Sequence, residues 1–166
     1  MSKTVDSTVN SDKVVHSYVG LAVMAALSFV SMYVLMYAMV DRLENVYPNL
    51  NQAYMAGLMA APMVVIELVL MGAMYPQRTW NAAIIGVSIL VLAAFFLLIR
   101  QQTAIDDRQF LKSMIPHHAG AILMCGRAPV QDAEIKALCK TIIDSQQSEI
   151  DLMRAILKRL EASSPA

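Results

Sequence analysis

The sequence predicts an all-α protein in which three transmembrane helices are followed by an antiparallel two-helix hairpin. Apolar residues make up 57% of the 166 residues and charged residues only 16%, against about 45–50% and 25% in ordinary soluble domains. The apolar excess is concentrated in three long blocks that carry almost no charge. An amphipathic pattern with three- and four-residue spacing follows the third block, and it predicts helices outside the membrane.

These patterns divide the chain into a flexible polar tail at residues 1–15, a three-span region at 16–100 and a helical hairpin at 101–166. The three blocks run over 16–40, 51–75 and 81–99. At about 1.5 Å per residue, each is long enough to cross a hydrocarbon core of about 30 Å. The lipid bilayer is therefore the first expected partner.

The hairpin is predicted from two helical patterns separated by a turn at residues 126–129. Nothing obvious between residues 101 and 115 breaks a helix, so the sequence allows the third span to continue directly into the first hairpin helix. Pro116 should kink or restart that helix, because proline lacks a backbone N–H. The second helix is expected at about residues 132–161. Folding about residue 128 would bring His118 level with Cys139 and would leave Cys125 too far from Cys139 for a disulfide.

A hairpin of this size cannot bury a sufficient core alone. It must pack on the spans or pair with a second copy, and pairing would give a four-helix bundle. We favour the homodimer.

The segment MIPHHAGAILMC, residues 114–125, gathers donors that suit a soft metal ion. Thioether, imidazole and thiolate groups together favour Cu(I) and its mimic Ag(I), whereas hard cations prefer oxygen. The candidate ligands are Met114, His117, His118, Met124 and Cys139. The residues expected to orient these ligands are Asp107, Gln146, Glu149 and Met153. The competing interpretation is that these polar side chains only fix the register of the helices.

Glu67 is the one acidic residue inside a predicted span, near the middle of the second block. By analogy with aspartate, a charge at mid-membrane costs about 2.5–3.5 kcal/mol, so Glu67 should face the interior and bond a partner such as Tyr33 or Tyr37. Methionines on the first two spans are either packing residues or soft donors beneath the hairpin: Met32, Met36, Met39, Met55, Met59 and Met63. A conduit for ions along these methionines and Glu67 is a third hypothesis.

Several other functions are disfavoured by the sequence. A ferritin-type di-iron site needs Glu-x-x-His pairs, but Glu67, Glu134 and Glu149 are followed three residues later by leucine or alanine. No nucleophile elbow, phosphate loop, CxxC pair or HExxH occurs, so we do not expect an enzyme. The formal net charge is zero and no basic stripe is present, so nucleic acid is not an expected partner. The positive-inside rule does not decide the orientation in the membrane.

Two signatures resemble a known bacterial family, called domain of unknown function 305. The run FLKSMIPHH at 110–118, with the alanine, isoleucine and methionine that follow it, is similar to the family's first signature. The second is matched by Ile142, Ile143, Gln146, Glu149, Ile150 and Met153. The resemblance covers about residues 105–160, and the spans look similar to a membrane-anchored subgroup.

The resemblance implies a helical, ferritin-like bundle outside the cytoplasm, with copper binding or tolerance in some members. Our leading hypothesis is a bacterial inner-membrane protein that binds Cu(I) for buffering, delivery or tolerance, with a periplasmic hairpin and a copper-handling partner. The alternative is a membrane scaffold whose histidine, glutamine and glutamate network only specifies packing and dimerisation.

Overall fold

The computed structural model describes residues 2–163, and the side chains of residues 14–163. Within this range the chain is helical and contains no strand, which confirms the predicted all-α class. The α-helices are α1 (Ser2–Leu35), α2 (Leu50–Leu70), α3 (Arg78–Gln101), α4 (Asp107–Arg127) and α5 (Ala133–Ala162). Short 3-10 turns occupy Met36–Met39, Leu43–Asn45 and Gly72–Met74. The backbone of residues 2–15, which belong to the predicted flexible polar tail, is helical and forms part of α1.

The first structural unit contains the chain up to Tyr33 and Tyr54–Gln101. Among the residues that the structure describes, three helical segments are long and apolar enough to cross a membrane, namely Val14–Met39, Leu50–Leu70 and Arg78–Gln101. The buried cluster of this first unit consists of Leu21, Leu68 and Tyr75. Many other apolar side chains face outward, including Leu27, Val69 and Leu90. Such an exterior suits contact with lipid, where exposed apolar side chains carry no penalty.

Glu67 lies near the end of α2, not near the middle of a span as predicted. The helix stops at Leu70 and a 3-10 turn at Gly72–Met74 follows, with Pro76 just beyond, as is common after a helix end. The Tyr75 hydroxyl donates a hydrogen bond to Glu67 Oε1 at 3.3 Å. Tyr75, instead of Tyr33 or Tyr37, is therefore the observed partner, and the Tyr37 hydroxyl donates to the Tyr47 carbonyl at 2.8 Å.

The second unit combines the hairpin with the segment Val34–Ala53. This joining segment contains the end of the first predicted span, the loop after it and the start of the second. The core consists of Leu111, Ile115, Ala119, Ile150 and Leu157. Val40 and Tyr47 of the joining segment pack against this core. A Cβ atom at Gly120 would lie 3.5 Å from the Met39 carbonyl oxygen. The joining segment thus gives the hairpin a third layer within one chain, a source of core that the sequence did not reveal.

A polar network holds α5 to this segment. Arg154 Nη2 donates to Asn45 Oδ1 at 2.8 Å, and Asn45 Nδ2 donates to Asp41 Oδ1 at 2.7 Å. Asn45 is only 2% exposed. A buried amide needs partners for both of its ends, and the two contacts supply them.

The third span does not continue into the hairpin, so that prediction is wrong. Helix α3 ends at Gln101, and Gln102 and Ala104 have positive φ angles of 51° and 59°. The Asp106 side chain then accepts a hydrogen bond from the Gln109 backbone N–H at 2.7 Å and caps α4. Aspartate followed three residues later by glutamine is a known helix-start signal, and it indicates that a new helix begins after Asp106.

The hairpin register also differs from the prediction. Helix α4 runs through Pro116 without restarting, and the loop falls at residues 128–132, where Asp132 caps α5. His118 meets Glu149 instead of Cys139, a displacement of ten residues, or about 15 Å along a helix. The later turn accounts for part of this shift. The larger cause is the core, because Ile115 and Ile150 are both completely buried in the same cluster.

Candidate metal centre of the hairpin

His118 is a largely enclosed polar side chain on α4. It is 12% exposed, and its Nδ1 atom lies 3.0 Å from Glu149 Oε2 on α5. Among the described residues this nitrogen has no well-formed hydrogen bond, so the carboxylate approaches it from off the N–H direction. Burial lowers the pKa of His118 below its ordinary value of 6.5, with His117 contributing in the same direction and the Glu149 charge opposing. The imidazole is therefore neutral at neutral pH, the form that binds metals.

Met114 and Met153 flank this histidine by helical geometry. Met114 precedes His118 by four residues on α4, so the two share one face. Met153 follows Glu149 by four residues on α5, and in an antiparallel hairpin that direction leads back toward Met114. Both methionines are half-buried, and Met153 packs against the core cluster. Two neighbouring turns of the hairpin thus carry two thioethers, an imidazole and a carboxylate.

The structure does not bring the other predicted ligands to this level. His117 is exposed, and its ring centroid lies 6.0 Å from that of His118. Met124 is 53% exposed and lies about 9 Å further along α4. Cys139 lies ten residues before Glu149 on α5. Because His118 is paired with Glu149, Cys139 is about 15 Å from the level of His118 along the helix. Among the described residues, no three histidine, cysteine, aspartate or glutamate side chains form a possible metal-ligand group, so a site here must draw on methionine sulfur.

Of the residues predicted to orient the ligands, the structure brings some to His118 and leaves others away from it. Glu149 reaches His118, and Gln146 is half-buried on α5. Asp107 is exposed at the start of α4. The stretch after Asp107 meets the far end of α5 instead of Gln146 and Glu149. Arg108 Nη2 donates to the Leu160 carbonyl at 2.7 Å, and Lys112 Nζ lies 3.6 Å from Glu161 Oε1.

Cys125 and Cys139 are neighbours, contrary to the prediction from the assumed register. A hydrogen bond with the Cys139 side chain raises the pKa of the Cys125 thiol, and burial adds to the effect. Both side chains are half-buried. The observed register brings the two thiols together.

The methionines of the first two predicted spans are divided between the two structural units. Helix α1 ends at Leu35, and Met36 and Met39 belong to a 3-10 turn that contacts α4 in the second unit. The remaining members lie on α1 and α2 in the first unit, where Met55 and Met59 are exposed and Met32 and Met63 half-buried.

Comparison with known proteins agrees with the resemblance noted in the sequence. The model of the family described as Domain of unknown function (DUF305) matches residues 98–162. "Uncharacterized protein L153" of Acanthamoeba polyphaga mimivirus is 36% identical over 140 residues, which cover 82% of this chain and 90% of that protein. The chain belongs to the DUF305 family. No solved structure matches it.

The DUF305 match begins inside α3 and ends in the last turn of α5, so it contains the whole hairpin. Met114, His118, Glu149 and Met153 all lie within it. The segment Val34–Ala53, which completes the core, lies outside the DUF305 match.

Proposed function

We propose that this protein binds a soft monovalent cation, Cu(I) or Ag(I), between α4 and α5, and so buffers, delivers or confers tolerance to copper at a membrane. The observation that carries the proposal is the buried, neutral His118 imidazole, which has the Glu149 carboxylate at 3.0 Å from Nδ1 and a methionine one turn away on each helix. We assign the ligands to Met114, His118 and Met153.

The chemistry of these groups fits a soft ion. The Glu149 carboxylate lies 3.0 Å from Nδ1 without a well-formed hydrogen bond. We propose that it accepts the Nδ1–H when an ion binds at Nε2, because a carboxylate partner fixes the tautomer of a metal-bound histidine. Thioethers are soft, polarisable donors that prefer Cu(I) to hard divalent ions. Both thioethers are half-buried on helices, and each lies one helical turn from the His118–Glu149 contact along its own helix. The sequence contains no catalytic motif that would use a bound ion, so we propose storage or transfer of the ion instead of catalysis.

Cu(I) titration of the full chain in detergent tests the proposal. The starting protein carries Cys125→Ser and Cys139→Ser, so that thiols do not contribute to binding. Met114→Leu with Met153→Leu removes both sulfurs and nearly preserves side-chain volume. Competition with a coloured Cu(I) chelator under reducing, oxygen-free conditions should give an affinity lower by at least about tenfold, or about 1.4 kcal/mol. Met124→Leu, on the exposed side of α4, is the matched control and should retain the original affinity.

The orienting role of Glu149 has its own test in the same assay. Replacement of a carboxylate that positions a metal-bound histidine usually weakens binding by about 10–100-fold. We therefore expect Glu149→Gln to weaken Cu(I) binding within that range. Equal affinities for the starting protein and the Met114/Met153 variant would show that the ligand assignment is wrong.

A scaffold function is the second candidate, and the His118–Glu149 contact between two helices also supports it. In that case the outer face of the hairpin, with Phe110, Ile135, Leu138 and Leu152 exposed, would pair with a second copy. Purified protein would then hold no stoichiometric metal, and replacement of His117 and His118 by alanine would change its oligomeric state. Sedimentation with elemental analysis distinguishes the two functions.

We further propose that the hairpin lies outside the cytoplasm, where it would exchange copper with a copper-handling partner. Family resemblance is the support for this orientation and for a bacterial inner membrane. The similar protein L153 is viral, so it lends no support to that membrane in particular. Labelling of the half-buried Cys139 by a membrane-impermeant maleimide in intact cells, before and after lysis, tests the orientation.

A further inference from the structure

The fold brings two cysteines together at the loop end of the hairpin. Cys125 is in the last turn of α4 and Cys139 in the second turn of α5, and the Cys139 side chain is close enough to raise the pKa of the Cys125 thiol. Both line a cavity of about 240 Å³. The remaining wall consists of Val130, Lys136, Lys140, Ile143 and Asp144.

This setting gives a small disulfide access to both thiols. The two side chains are partly exposed rather than sealed in the core, and the cavity opens beside them. Two lysines and one aspartate in its wall leave an excess of positive charge, which attracts an anionic thiol or disulfide such as glutathione. The proximity of the second thiol favours an internal disulfide over a stable adduct, because its attack is intramolecular.

We propose that Cys125 and Cys139 are a redox couple that an acidic low-molecular-weight disulfide oxidises to a bond across the hairpin. One thiol, as thiolate, attacks a sulfur of the small disulfide, which releases one small thiol and leaves a mixed disulfide. The second cysteine then attacks the protein sulfur of that mixed disulfide and releases the second small thiol. Two electrons and two protons pass from the cysteines to the two released thiols.

The closed bond would link the last turn of α4 to the second turn of α5 across the loop at 128–132. It would restrain the loop end of the hairpin. His118 and Glu149 lie seven and ten residues further from the loop than Cys125 and Cys139, so the bond would not involve them directly. This inference does not depend on metal binding, since the Cu(I) titration above uses protein without cysteines. The Cu(I) titration and the disulfide test can therefore fail independently of each other.

The test equilibrates the full chain in detergent, reduced and metal-free, with glutathione buffers of increasing oxidised fraction. Acid quenching followed by a polyethylene glycol maleimide counts the free thiols on a gel, and peptide mass spectrometry locates the bond. Cys125→Ser and Cys139→Ser are the single-thiol variants. A relocated pair, Cys139→Ser with Ser148→Cys, keeps two thiols but moves one to an exposed position nine residues further along α5.

We expect the starting protein to lose both reactive thiols together and to yield a monomer with a Cys125–Cys139 peptide cross-link. Each single-thiol variant should instead accumulate a glutathione adduct, and the relocated pair should carry two adducts. Two adducts on the starting protein, a disulfide-linked dimer, or two free thiols under conditions that modify the single-thiol variants would each overturn the proposal. Circular dichroism of every variant checks that the helices are retained.

Discussion

Ile115 on α4 and Ile150 on α5 are both fully buried and lie in one core cluster. They are the largest side chains among the described residues that are completely removed from solvent. The packing of these two residues sets which parts of the helices face each other. The contact between His118 and Glu149 therefore depends on an apolar pair one turn or less away on each helix.

Replacement of this pair should destabilise the second unit strongly. We expect Ile150→Ala to lower the free energy of unfolding by about 2–5 kcal/mol, because it leaves a cavity in a closely packed core. Leu138→Ala, at a position 58% exposed on the same helix, should change it by no more than about 0.5 kcal/mol. Denaturant titration in detergent, followed by helical circular dichroism, compares the two. Similar losses for both variants would contradict the assigned core.

Asn45 should be more important for stability than its position in a loop suggests. Asn45→Ala removes the acceptor of Arg154 and the donor to Asp41. Among the described residues, Arg154 then keeps only its ion pair with Glu44 at 3.8 Å, and we expect a total loss of about 1–3 kcal/mol. Arg42→Ala removes the ion pair of 3.7 Å that the exposed Arg42 makes with Asp41 but leaves both Asn45 contacts in place, so it serves as the neighbouring control. The same unfolding measurement should separate the two variants. A neutral Asn45→Ala would mean that the network does not hold α5.

Gly57 allows close packing of α2 against Phe95 in the first unit. A Cβ atom there would lie 2.4 Å from the Phe95 ring, so Gly57→Ala should cost about 1–3 kcal/mol through overpacking. Gly20→Ala is the matched helix control, since its Cβ would meet nothing within 4 Å. Thermal unfolding in detergent should show a lower midpoint for Gly57→Ala alone, and Phe95→Leu should restore part of it. Equal midpoints for the two alanine variants would contradict the close approach.

Acid should weaken the hairpin through His118. Its pKa is lowered in the folded protein, chiefly by burial, so the unfolded chain binds the proton more readily. The stabilising contribution is therefore complete above pH 6.5 and is lost as the pH falls toward the lower, folded-state value. Unfolding measured between pH 8 and pH 5, values chosen to bracket the ordinary histidine pKa of about 6.5, should show this loss.

The control for the acid effect is His118→Gln, which cannot take up the proton. His117 and Glu149 face the same imidazole and remain in this variant, so their own contributions persist. We expect a flatter stability profile over the same pH range. An unchanged slope would assign the acid effect to other groups.

The helices of the hairpin could be predicted closely from the sequence, but their alignment could not. The expected second helix at about 132–161 compares with Ala133–Ala162, because apolar periodicity and the Asp132 cap are local signals. Register depends on which side chains fill the common core, and many apolar residues on α5 were compatible with that role. Only the structure selects Ile150, and with it the Glu149 contact and the proximity of the two cysteines.

The contribution of Val34–Ala53 could not be predicted for a related reason. Val40 was predicted as the last residue of the first span and Tyr47 as part of the following loop, whereas both pack on the hairpin core. Hydropathy measures the preference of a residue for an apolar environment and does not distinguish lipid from a protein core. The metal ligands illustrate the same limit, since clustering along the sequence suggested Met124 and only the helix pairing favours Met153.

The core supplied by Val34–Ala53 has a practical consequence for anyone who wishes to isolate the hairpin. A fragment that starts at Gln102 would lose Val40 and Tyr47 from its core and would leave Arg154 without Asn45. A water-soluble miniature should therefore graft residues 36–49 ahead of 106–162 through a new linker.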